Sequence, residues 1–118
     1  MEMILPQEKN KDNRLFDRFP ARFPAKIKDS RETFGANITL RDACAQGAKI
    51  LSRERFFIND SVSLEVLLPD NKSPMSLHGQ VVWTKQVDPS LWDIGLKFHR
   101  IDLLRLSRLF ESSVSSRT

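Results

Sequence analysis

One cysteine, Cys44, is all the thiol chemistry in this chain of 118 residues. A lone cysteine excludes an internal disulfide and a Cys-based zinc cage, and ordinarily it is a small packed residue. Histidine is almost as scarce. His78 and His99 lie far apart in sequence, each inside an alternating apolar pattern, so both read as surface strand residues and no metal site is expected. No stretch approaches the roughly 18 apolar residues of a membrane span. The opening Met1-Glu2-Met3-Ile4-Leu5-Pro6 puts an acid where a secretory signal has a base, and Pro6 breaks its apolar run. These absences predict a cytoplasmic protein with no membrane partner. With only 4 glycines there is no phosphate-cradling loop of known spacing. There is also no paired-carboxylate signature, and neither histidine is near Cys44 in sequence, so the chain reads as non-enzymatic and without a cofactor. The strands lack a dense exposed aromatic platform, which argues against a nucleic-acid partner.

What is present is ordinary in bulk and uneven in placement. Hydrophobic residues make up 40% and charged residues 29%, a composition that gives one soluble domain with its own core. Net charge is +4. From Glu8 to Arg31 eight bases face four acids, which accounts for the whole excess, while bases and acids balance elsewhere. A positive arm of this kind suits a small anionic ligand.

Periodicity orders the chain. Residues 1–13 are polar and aperiodic and read as a flexible leader. The near-repeat Arg18-Phe-Pro-Ala21 and Arg22-Phe-Pro-Ala25 disfavours helix through Pro20 and Pro24, so the arm is extended, with Arg14, Arg18 and Arg22 on one side. Six short strands follow, at Phe23 to Lys28, Phe34 to Arg41 with Gly35 near its start, Gly47 to Leu51, Val62 to Leu68, Ser76 to Thr84 and Asp93 to Phe98. A six-stranded antiparallel sheet of this size gains from closing, because closure removes exposed edges. Ile101, Leu103, Leu104, Leu106, Leu109 and Phe110 then recur at helical spacing with Arg105 and Arg108 opposite, predicting an amphipathic helix capped at Asp102. The expected fold is all-β, a barrel with a C-terminal helix over residues 14–111, followed by a disordered tail at 112–118.

Two motifs stand out. Arg14-Leu-Phe-Asp-Arg18-Phe-Pro presents two arginines four apart, and Asp42-Ala-Cys-Ala-Gln-Gly47 ends a strand with a carboxylate and a glycine. Together with Gly79-Gln-Val-Val-Trp83 and Trp92-Asp-Ile-Gly-Leu-Lys-Phe98, they make the chain resemble the PilZ domain family over nearly all of Asn13 to Phe110. Members of that family are small cytoplasmic β-barrels with a C-terminal helix that bind cyclic di-GMP. The resemblance implies a receptor whose site is Arg14, Arg18, Arg22, Asp42, Cys44 and Gly47, signalling to a downstream protein as ligand orders the arginine arm.

The chemistry of these residues fits that role. An arginine fork pairs with guanine O6 and N7 or with a phosphate, and its plane stacks on bases. Asp42 can accept from guanine N1 and N2. Gly47 permits a positive φ or a close backbone approach. Arg18-Phe-Pro-Ala-Arg22 repeats the arginine spacing, so the clamp is Arg14 with Arg18 or Arg18 with Arg22. The first is preferred, since it leaves Pro20 to Pro24 leading into the first strand and Arg22 as an accessory contact. Where the family has serine, this chain has Cys44, a weaker hydrogen-bonding group. That substitution motivates the alternative of an adaptor with weak or no nucleotide binding, acting through protein contacts.

Overall fold

The structure, a computed structural model, describes residues 15–29, 36–70 and 72–116. Six antiparallel strands, β1 (Phe19–Asp29), β2 (Ala36–Cys44), β3 (Gly47–Ser52), β4 (Ser61–Val66), β5 (Met75–Asp88) and β6 (Leu91–Phe98), precede the C-terminal helix, α1 (Leu103–Ser116). The strands close in the order β1-β2-β3-β6-β5-β4, with β1 returning to pair with β4 from Ala25↔Val66 to Asp29↔Val62. The expected barrel is therefore present, and each predicted strand has its counterpart. Phe34 and Gly35, expected at the start of the second strand, lie outside the described residues.

Alternation along the strands fills the interior. Ala21, Leu40, Ile50, Val66, Val81 and Ile94 are fully buried, while neighbours of opposite parity such as Lys26, Glu65 and Lys97 face outward. β1 begins at Phe19 rather than at Phe23, so both prolines lie inside the strand. They are tolerated because β4 pairs with β1 only from Ala25 onward, and the β1–β2 register is irregular between Pro20 and Phe23.

Helix α1 packs against β1 through Leu106 and Leu109, both fully buried, and through Phe110, whose ring meets Phe19 edge-on at 5.1 Å. Its apolar stripe is narrower than predicted. Ile101 precedes the helix and is half exposed, and Leu104 is 86% exposed because it sits about 200° around the axis from Leu106. Asp102 caps the helix as expected, accepting from the Arg105 amide at 3.1 Å. The tail at 112–118 is not disordered throughout. The helix runs to Ser116, and Ser112 and Ser113 are buried, Ser113 donating its hydroxyl to the Phe110 carbonyl at 2.9 Å. No helix among the described residues is long and apolar enough to cross a membrane.

Candidate functional site

The second motif folds into a two-residue turn. Cys44 pairs with Gly47, leaving Ala45 and Gln46 at the tip. Tight hairpins usually need positive φ at the tip, yet neither Ala45 nor Gln46 has it. The turn is held from outside instead: the Ala45 amide donates to the Leu15 carbonyl at 2.6 Å, and the Gln46 carbonyl accepts from the Phe98 amide at 2.8 Å. Gly47 likewise has no positive φ. It is glycine because a Cβ there would run into the Leu96 carbonyl of β6. The close approach it allows in this structure is that of the neighbouring strand β6.

The first motif docks beside this turn. Leu15 is buried in the core, which fixes the chain where it approaches β1. Arg18 is 54% exposed and hydrogen-bonds through Nη1 to Oδ1 of Asp42, the residue opposite Pro20 on β2. Lys49 Nζ lies 3.9 Å from the other Asp42 oxygen. Exposed pairs of this kind are worth about 0–1 kcal/mol, so a competing anion can displace them at little cost.

These residues border a groove of about 710 Å³ on the outer face of the barrel, where Arg18, Asp42, Cys44 and Gly47 come together. Arg22 does not join them. It is exposed on β1, four residues or about 13 Å further along the strand, and is absent from the groove's lining. Arg14 lies outside the described residues. Cys44 is among the lining residues but is itself buried.

The opposite wall was not read from the sequence as part of a site. A bulge between Val81 and Trp83 turns the Trp83 side chain onto Gly95 of β6, where a Cβ would fall 2.6 Å from the indole Cδ1. Trp83 stays 41% exposed, presenting its ring to the groove. Lys49, Lys97 and Arg100 join Arg18, so four cations meet the single carboxylate of Asp42. The sequence did hold a signal for Trp83, since a glycine inside a strand marks a close approach. The cations had none, because they are ordinary outward residues on separate strands and in the β6–α1 link.

This barrel, with both motifs at one rim and a helix over the core, agrees with comparison to known proteins. The model of the PilZ domain family matches residues 12–112. The chain belongs to that family. Among solved structures, the PilZ domain of CeSA from a cellulose-synthesizing bacterium superposes with a TM-score of 0.57 at 13% identity, covering 86% of this chain and 99% of that one. The Bacillus subtilis inhibitor of motility MotI/DgrA gives a TM-score of 0.62 at 13% identity, covering 85% of this chain and 48% of that one. This PilZ chain thus spans about half the length of the motility inhibitor, and at these identities both likenesses concern the fold. Comparison with curated proteins gives no match.

Proposed function

We propose that this PilZ domain is a non-enzymatic cytoplasmic receptor for cyclic di-GMP. The observation that carries the reading is the meeting of Arg18, from ahead of β1, with Asp42 and Gly47 across one groove. Arg18 and the lysines supply charge for two phosphates, Asp42 supplies an acceptor for a guanine edge, and the exposed face of Trp83 supplies a stacking surface. On this reading cyclic di-GMP orders the arginine arm against the barrel, where Leu15 is already buried in the core. The changed surface is then read by a partner protein.

Calorimetric titration of the whole chain with cyclic di-GMP tests this. Binding weakens about ten- to a hundredfold in Arg18→Ala and in Asp42→Ala, as expected for loss of a charge-assisted hydrogen bond. Arg14→Ala weakens it comparably, and Arg22→Ala leaves it unchanged. Absence of heat with the unaltered protein removes the receptor reading.

A second reading, an adaptor with little or no nucleotide affinity, is favoured by Cys44, a buried residue of the groove's lining at the position where the family has serine. Cys44→Ser separates the two. A gain of a few-fold to about tenfold in affinity places this position against the ligand, whereas silence in both proteins supports the adaptor.

A further inference from the structure

The barrel's register brings together two side chains that the sequence holds far apart. Gly79 of β5 faces Phe98 of β6, and one step beyond, the His99 amide donates to the His78 carbonyl at 3.1 Å. Opposed residues on antiparallel neighbours send their side chains to the same face, with Cβ atoms about 5 Å apart. Both histidines are exposed, and both line a second cavity of about 390 Å³ at the start of α1, bordered also by Ser76, Asp102 and Arg105.

The His78 ring is already oriented. Its Nδ1 lies 2.9 Å from Oγ of Ser63 on β4. When Nδ1 donates to that hydroxyl, the lone pair is on Nε2, across the ring and directed away from β4. An outer hydrogen bond of this kind is how a metal-binding imidazole is usually held.

We infer that His78 and His99 form a two-imidazole site for a divalent transition ion of the zinc, nickel or copper class, with water completing the coordination. Imidazole suits these ions, and two rings on Cβ atoms this close can share one at bond lengths of about 2.0–2.1 Å. The Asp102 carboxylate is taken by the Arg105 amide and guanidinium, so acid and base there offset one another. Arg100 also borders the cavity but is exposed, where solvent screens its charge. No group of three or more metal-ligating side chains exists among the described residues, so the site is a two-ligand chelate of modest affinity.

The test uses the untagged full chain, titrated with zinc chloride and, separately, nickel chloride, followed by calorimetry and by the histidine ring resonances. Zinc binds one ion per chain and shifts both rings together, and nickel broadens both. His78→Ala and His99→Ala each weaken binding by about tenfold or more, Ser63→Ala by a smaller factor, and Cys44→Ser not at all. Circular dichroism confirms that these variants keep the barrel. Binding at unaltered strength in either histidine variant overturns the inference, as does response of one ring only, or loss of binding in Cys44→Ser. No nucleotide enters the experiment, so its outcome is independent of the receptor reading.

Discussion

At the scale of single residues, the site depends on what glycine omits as much as on what charged side chains supply. Gly95 leaves room for the Trp83 indole. Gly95→Ala is expected to push the ring off β6, shifting the Trp83 indole N–H resonance while the barrel stays folded. On the receptor reading, loss of the stacking face then weakens cyclic di-GMP binding by about 1–3 kcal/mol, measured by the same titration. Asn59 is the other special position. Its φ of 78° lies in the left-handed region, in the turn where its amide bonds the Val81 carbonyl at 2.8 Å and Asp60 accepts from the Phe57 amide at 2.9 Å. Asparagine visits that region readily and β-branched residues do not. Asn59→Val is expected to lower stability by about 1–2 kcal/mol in denaturant unfolding, and Asn59→Gly to be close to neutral.

At the scale of elements, α1 is tied to the β4–β5 loop by a forked contact. Arg108 donates to both oxygens of Asp70 at 2.8 and 3.0 Å and to the Ser73 carbonyl at 2.7 Å. The Arg108 hydrogen bond, aided by one from the Lys72 amide, holds the Asp70 carboxyl down at about 2, against an ordinary value of 3.8. Because the folded value is the lower one, the contact's contribution is complete above pH 3.8 and is lost as pH falls through about 2. Acid unfolding of the parent is therefore expected to retain this tether to lower pH than an unperturbed aspartate would allow. In Arg108→Gln that stabilisation is missing above pH 3.8 and the decline in Tm between pH 3.8 and about 2 becomes shallower, which a pH series of thermal melts detects. Asp102 is likewise held below the usual carboxylate range, first by the Arg105 amide at the helix cap and then by the Arg105 side chain.

At the scale of the whole molecule, stability comes from one continuous interior to which every strand and α1 contribute. Leu40 is fully buried on β2 and Leu104 is 86% exposed on α1, though both are leucines in apolar patterns. Leu40→Ala should destabilise by about 2–5 kcal/mol, and Leu104→Ala by no more than about 0.5 kcal/mol, in chemical denaturation. Comparable losses at both positions would mean that α1 covers more than its two buried leucines and Phe110 indicate.

The six strands, the terminal helix, its Asp102 cap and the meeting of Arg18 with Asp42 and Gly47 were legible in the order of residues. Period-two alternation, helical spacing and turn chemistry are local signals, set by side-chain direction and backbone sterics within a few positions. Three other features were decided only by closure of the barrel. The register of β3, β6 and β5 placed Lys49, Lys97 and Trp83 around the same groove as Arg18, left Arg22 outside it, and set His78 against His99. Pairing partners distant in sequence are chosen by burying one face of every strand at once, and no local pattern encodes which outward side chains then become neighbours.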